Sequence, residues 1–287
     1  MISRVLPVTV MTLLLLAAWY IGAAWLNWPQ AAETLARAGK PAGFVDVLTQ
    51  AYAMKRPILP TPDQVAVELW TSLTGYAPTS PRNLLFHTWV TAEAALTGLA
   101  MGLLLGILLA AGIVYTRTLE ASLLPWVIAS QTIPILAIAP MIVVILGNIG
   151  LTGLLPKAVI CMYLCFFPIT VGMVKGLRSA DPLWLDLMRT YSASGMRAFW
   201  SLRLPASMPF LFASLKVSVA ISVVGAIVGE LPTGGQAGLG ARLLSGSYYG
   251  QTVQIWAALI MASLLSVALI AVVRGLELAL LGRAGVR

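Results

Sequence analysis

The chain has 287 residues, of which 59% are hydrophobic and 10% charged. A soluble domain carries about a quarter charged residues, so the composition leaves too little polar surface for a water-soluble monomer and describes an integral membrane protein. The formal charge of +8 does not imply nucleic acid; basic residues collect on the cytoplasmic side of membrane proteins.

A helix of about 20 apolar residues crosses the roughly 30 Å hydrocarbon core, and six stretches qualify. The fold class is therefore all-α, with about six transmembrane helices. The first span, Val5–Leu26, follows Arg4. It is too long for a signal-peptide core and is read as a retained N-terminal anchor helix, domain 1–26. Residues 27–87 follow as a segment on the outer side, with prolines at 29, 41, 57, 60, 62, 78 and 81. Two short helices are expected there, one capped by Asp63 and carrying Val65, Leu69 and Leu73 at helical spacing.

Residues 88–275 form the core, with five spans. Thr88–Tyr115 carries Ala94, Gly98, Gly102, Gly106 and Ala110 at four-residue intervals, a stripe that lets another helix approach closely. Glu93, near its outer end, is an interfacial carboxylate. Ser122–Leu146 contains QTIPILAIAP, with Pro134 and Pro140 six apart. Each proline removes an amide donor and bends the helix. Gln131 and Thr132 either line a watery cavity there or belong to a kinked structural helix. Leu151–Val174 holds Cys161 and Cys165 on one face, where they pack as small hydrophobes. Phe210–Val228 leads to Glu230 and the glycine-rich GELPTGGQAGLGARLLSGSYYGQ. Glu230, with Tyr248 and Tyr249, is either an outer gate or an ordinary interfacial carboxylate beside tyrosine anchors. Val253–Val273 is the last span, and 276–287 a cytoplasmic tail.

The short loops fix an orientation. Arg4, Arg117, Lys175, Arg178, Arg189, Arg197, Arg203, Arg274, Arg283 and Arg287 fall on one side, whereas the opposite short connections hold only Arg242, with Lys157 just inside the fourth span. Both termini are expected to be cytoplasmic. The chain has no GxxxxGK[ST] motif, no metal-ligand cluster and no serine–histidine or paired-aspartate site within the spans. An enzyme is not expected, and no cofactor is expected in this chain.

The inner connection, GLRSADPLWLDLMRTYSASGMRAFWSLRLPASMP, is far longer than a link requires. Asp181 can cap a helix with Pro182 at its first position. Trp184, Leu187, Met188 and Tyr191 then share an apolar face. After a break at Ser192–Gly195, a second short helix places Met196, Phe199 and Trp200 on one side. Two amphipathic helices outside the bilayer, meeting at a polar turn, make a docking element.

The stretch from Asp186 to Pro205 resembles the EAA loop of permease subunits from binding-protein-dependent ATP-binding-cassette importers. Asp186-Leu187-Met188 stands in place of the triplet, Ser192 in place of the glycine, and Leu202-Arg203-Leu204-Pro205 completes the pattern. ILPTPDQVAVELW, GLRSADP and GELPTGGQAGLG are similar to the nitrate/sulfonate/taurine-type group, with the type I importer fold. The resemblance implies a coupling loop between transmembrane helices 4 and 5, about 176–209, in which Asp186, Leu187, Met188, Arg189, Ser192, Gly195 and Pro205 meet a cytoplasmic ATPase. It further implies a second permease copy, two ATPase subunits that bind ATP and Mg2+, and an external substrate-binding protein. The translocation path would take in Gln131, Thr132, Glu230, Tyr248 and Tyr249. A secondary carrier using Glu230 as a proton site, or a scaffold that recruits a soluble partner, are the competing readings. The aromatic and amide groups around the outer connection suit a flat heterocycle of the pyrimidine or vitamin-precursor kind; sulfonate, taurine or nitrate is the alternative.

Overall fold

A computed structural model describes residues 2–40, 43–233 and 237–281, and the side chains from Leu6 onward. The Arg4 side chain, Pro41, Gly234, Gly235, Gln236, Arg283 and Arg287, with the rest of 282–287, lie outside the described residues. The described structure is all helical, apart from turns and connections. In chain order the helices are α1 (Ile2–Arg37), α2 (Phe44–Ala53), α3 (Pro62–Thr74), α4 (Leu84–Tyr115), α5 (Arg117–Ser130) and α6 (Ile135–Asn148). There follow α7 (Leu154–Arg178), α8 (Pro182–Thr190) and α9 (Gly195–Ala198). A π-helical turn, Phe199–Arg203, leads into α10 (Leu204–Glu230), and α11 (Leu239–Tyr248) and α12 (Thr252–Leu281) complete the chain. Among the described residues five helices are long and apolar enough to cross a membrane, or six if the bent pair α5–α6 counts as one span.

The chain divides into two compact units, one of residues 1–87 with 242–261, the other of 88–241 with 262–287. In the first, α1 does not stop at residue 26. It runs to Arg37 because its last turns bury Ala31 and Leu35 against Val47, Ala51 and Met54. Asn27 is fully buried on α1 and replaces a missing strand or helix partner for the connection after α2. Its amide donates to Leu59 O (2.9 Å), and its carbonyl accepts from Ile58 N (2.8 Å) and Leu59 N (3.2 Å). Trp19 adds a bond from Nε1 to Pro60 O (2.9 Å) and packs against Trp256. The expected helix around Val65 is present, but Thr61 is its N-cap and Pro62 its first residue. Asp63 therefore sits in the first turn, where its carboxylate accepts from Tyr20 Oη (2.9 Å).

In the second unit α7 is the central helix, and small residues set its distance from two neighbours. A β-carbon at Gly98 of α4 would overlap that of Cys161; at Gly102 it would lie 2.9 Å from Cys165 Cβ, and at Gly106 2.7 Å from Ile169 Cγ2. The four-residue stripe and the cysteine pair are thus two sides of one contact. On another face Gly172 and Gly176 of α7 meet Ser214 and Ser207 of α10, while Gly225 and Gly229 of α10 lie over Cys161 and Lys157. Lipid offers helices no hydrophobic gain on association, so this close backbone approach supplies the dispersion that holds them. The thiols stay reduced and donate to backbone carbonyls of α10, Cys161 to Ser222 O (3.3 Å) and Cys165 to Ser218 O (3.2 Å).

The third expected span is not one helix. α5 and α6 are inclined by 100° across the break Gln131–Pro134. Pro134 has no amide proton and biases the preceding residue away from helix, so the ladder stops here rather than kinking. Pro125, Pro140 and Pro168, each inside its helix, break nothing.

Candidate functional site

The loop between α7 and α10 begins as the sequence suggests. Asp181 Oδ1 accepts from Leu183 N (2.9 Å), and Pro182 opens α8. No residue of α8 is buried. Its outer face carries Leu183, Trp184, Leu187 and Tyr191, exposed by 77, 57, 43 and 79%. Met188 does not join that face; with Leu185 it turns into a cavity of about 310 Å³ that Val114, Tyr115, Arg189, Gly195 and Arg203 help to line. Asp186 and Arg189 pair with each other at 2.8 Å on the exposed surface.

The turn after α8 passes through Ser192, whose φ of +52° is the only positive value among described non-glycine residues. Ser194 then caps α9 by accepting from Arg197 N (3.3 Å). The expected separate second helix is instead the foot of the next span: α9, the π-turn and α10 run on as one apolar helical stretch from Gly195 to Glu230. The aromatic side chains expected on one side are divided between core and surface. Phe199 is buried in the core beside Met173, Leu177 and Leu211, while Met196 and Trp200 are both 61% exposed. Pro205 is the second residue of α10, directly after the π-turn.

Three contacts tie the base of this elbow to the ends of its neighbours. Tyr115 Oη, at the end of α4, donates to Gly195 O (2.9 Å) and its ring packs on Phe199. Arg203 Nη1 donates to Leu177 O on α7 (3.4 Å). Arg178 closes the end of α7 onto Glu120 of α5 at 2.8 Å. Tyr115 and Glu120 lie outside any motif in the sequence, and only their place one turn from a span end could have pointed to them.

The residues expected along a path fall in both compact units. Gln131 and Thr132 share the α5–α6 break, exposed, and bond only locally, to Ser130 Oγ (3.3 Å) and Ala129 O (2.7 Å). Ser130 O accepts in turn from Tyr163 of α7. Tyr248 and Tyr249 are exposed and belong to the other compact unit.

Glu230 is fully buried at the end of α10. One carboxylate oxygen accepts from Thr91 Oγ1 of α4 (2.8 Å), the other from Gly240 N (2.7 Å). The Thr91 hydroxyl in turn accepts from Leu239 N (2.8 Å). A β-carbon at Gly238, where φ is +118°, would overlap the carboxyl group. The glycine-rich sequence here is thus shaped to a carboxylate that latches the start of α11 to α4 and α10. Thr91 was not foreseeable, since 139 residues separate it from Glu230. Nor was the pair Lys216–Glu277 (2.5 Å), which joins α10 to α12.

Residues 102–284 match the family of binding-protein-dependent transport system inner membrane components. A probable ABC transporter permease protein of Haemophilus influenzae is 33% identical over 213 residues, which cover 74% of this chain and 81% of that protein. The formylaminopyrimidine transport permease protein ThiX of Halalkalibacterium halodurans is 34% identical over 67% of this chain and 76% of its own length. The riboflavin transport system permease protein RibX of Chloroflexus aurantiacus is 30% identical over 74% of this chain and 75% of its own.

Proposed function

We propose how this chain works from the family to which it belongs, the inner-membrane components of binding-protein-dependent transport systems. It is a multi-pass inner-membrane protein, the transmembrane permease subunit of an ABC importer, and so a transporter component rather than an enzyme or a self-contained carrier. Its coupling element is the segment 181–205. The elbow docks on a cytoplasmic ATPase through Leu183, Trp184, Leu187 and Tyr191, with Asp186, Arg189 and Ser192 framing the contact. Two copies of the chain form the path, both termini are cytoplasmic, and an external binding protein delivers the solute. ATP and Mg2+ belong to the partner ATPases.

The observation that carries this reading is that α8 buries none of its residues while presenting four large apolar side chains to the outside. Such a face, rimmed by charge and standing clear of its own core, suits a protein partner. The helix that follows is continuous with a span, so displacement of the elbow moves α10 directly, and the Tyr115 and Arg203 contacts pass the movement to α4 and α7.

Exchanging Asp186 and Arg189, as Asp186→Arg with Arg189→Asp, keeps an intrahelical pair and reverses only what a partner meets. In the reconstituted importer the exchange is expected to lower solute-stimulated ATP hydrolysis and transport together, with insertion and thermal stability unchanged. Full transport by that variant overturns the docking role.

For the solute, a flat pyrimidine-like or vitamin-precursor heterocycle accords with the names of two relatives, the formylaminopyrimidine and riboflavin permeases. The second reading, a sulfonate, taurine or nitrate solute, is favoured by one observation. Lys157 lines a cavity while 92% buried, its 8% exposure being unusual for a cation.

A further inference from the structure

Lysines near the end of a span ordinarily extend their ammonium group to the interface. Lys157 does not. It lies in the first turn of α7, is 8% exposed, and makes no hydrogen bond or ion pair among the described residues. Gly229 of α10 packs over its Cα and closes one side. The nearby carboxylate of Glu230 is not within ion-pair distance, and both its oxygens are occupied by Thr91 Oγ1 and Gly240 N. A buried cation within a membrane span without a direct partner marks a functional position.

The space beside it has a matching character. A cavity of about 250 Å³ is lined by Val143 of α6, by Thr152, Gly153, Pro156 and Lys157 at the start of α7, and by Thr233. Gly153 is the N-cap of this 25-residue helix, has φ +76°, and no side chain caps the first turn. The free amides there and the helix dipole place positive potential in the same cavity as the ammonium group. The two hydroxyls are unequal. Thr233 already donates to Glu230 O (2.8 Å), whereas the exposed Thr152 makes no such bond among the described residues.

We propose that this cavity is a binding site for an oxyanion, a carboxylate, sulfonate or phosphate group, held by the Lys157 ammonium, the Thr152 hydroxyl and the first-turn amides of α7. The group comes from the transported solute or from an anionic lipid headgroup; the chemistry of the site is the same. The solute source rests on the permease reading above and narrows the cargo to molecules carrying an acid group, heterocyclic or not.

The test uses the full permease complexed with its ATPase, with methanesulfonate and inorganic phosphate as probes and chloride at equal ionic strength as reference. At ten times its dissociation constant a ligand of the folded state raises the unfolding temperature of a chain this size by about 2–4 °C. That rise is expected in the native protein, absent in Lys157→Gln, and largely retained in Lys157→Arg. Equal rises in the native and Lys157→Gln proteins overturn the site. Nanodiscs separate the sources. A stability gap between native and Lys157→Gln protein seen only with phosphatidylglycerol, and not with phosphatidylcholine plus methanesulfonate, assigns the site to lipid. The converse assigns it to solute, and no gap in either overturns it. ATP hydrolysis coupled to transport is read on the same native complex, so an anion effect missing from the native protein while coupling is intact rejects the site alone and leaves the permease reading standing.

Discussion

Along the seam of α4, α7 and α10, glycine, serine and cysteine recur where one backbone lies against another, and Ala158, Cys161, Cys165, Ile169 and Met173 are fully buried. Along α8, in the same compact unit, three leucines and Trp184 lead to Tyr191 at the C-cap, and no residue of the helix is buried. The seam helices are the more apolar, and residue size separates the two regions as well. In lipid an association surface is made by removing side chains so that backbones can close. Outside lipid it is made by adding large side chains that a partner will cover. The seam is closed within the chain, whereas among the described residues the elbow face is left open, as the proposed docking role requires.

If that contrast is right, enlarging a seam residue should be the most damaging change in the molecule. Gly98→Leu puts a branched side chain where even a β-carbon overlaps Cys161 and approaches Ala158 O at 2.5 Å. Overpacking ordinarily costs about 1–3 kcal/mol, and backbone contact on the far side leaves no room for relief. We expect loss of folded protein, read by detergent-resistant yield and thermal unfolding, with Gly98→Ala intermediate. Normal stability of Gly98→Leu would mean that α4 and α7 are not in contact.

Next in size is the Glu230 latch, which is polar within the apolar seam. Thr91→Val keeps the shape of the side chain but strips Glu230 of one donor and leaves Leu239 N without its acceptor. Buried unsatisfied polar groups cost about 1–3 kcal/mol each, so a loss of about 2–3 kcal/mol is expected in chemical or thermal unfolding. Thr91→Ser retains the hydroxyl and should recover most of it. Equal losses in the two variants would assign the effect to packing instead of the carboxylate.

At the elbow the prediction inverts. Trp184→Ala with Leu187→Ala removes side chains that the described residues leave largely open. Stability should change by less than about 0.5 kcal/mol, as for surface substitutions generally. Coupling of ATP hydrolysis to transport should fall about tenfold, equivalent to 1.4 kcal/mol of lost docking. A loss of stability without a loss of coupling would place α8 within the fold and remove its partner-facing role.

These regions were unequally legible in the sequence. The seam could be read because its cause is local: glycines every four residues on α4, and cysteines four apart on α7, each state a helical face. The Asp181 cap and Pro182 start of α8 were legible for the same reason. What local pattern could not show is how an interruption resolves. Pro134 and Pro140 look alike in QTIPILAIAP, yet only the first ends its helix, through the 100° break. Phe199 faces the core and Trp200 the outside, a division set by the neighbours that α7 and α10 bring to Phe199 and not by the spacing of the aromatics. Likewise α1 continued to Arg37 because of Val47 and Ala51, residues that its own periodicity cannot contain. Thr91 meets Glu230 only once α4 and α10 are adjacent.

The smallest expected effect concerns the hinge of the elbow. Ser192 stands where the resembled loop pattern has a glycine, and its φ of +52° gives the physical reason for that glycine. A β-carbon in the left-handed region costs about 1–2 kcal/mol. Glycine avoids the strain but loses about 0.5–1 kcal/mol more backbone entropy on folding. The difference leaves Ser192→Gly more stable by about 0.5–1 kcal/mol, and Ser192→Val, branched at the β-carbon, less stable by a similar amount. The bonds Ser192 N to Arg189 O (2.8 Å) and Ala193 N to Met188 O (3.0 Å) are backbone bonds that either substitution leaves in place. Any shift in thermal unfolding therefore reports the dihedral angle itself. If Ser192→Gly and Ser192→Val move the transition in the same direction, the turn does not hold residue 192 in the left-handed region, and the angle between α8 and α9 is set elsewhere.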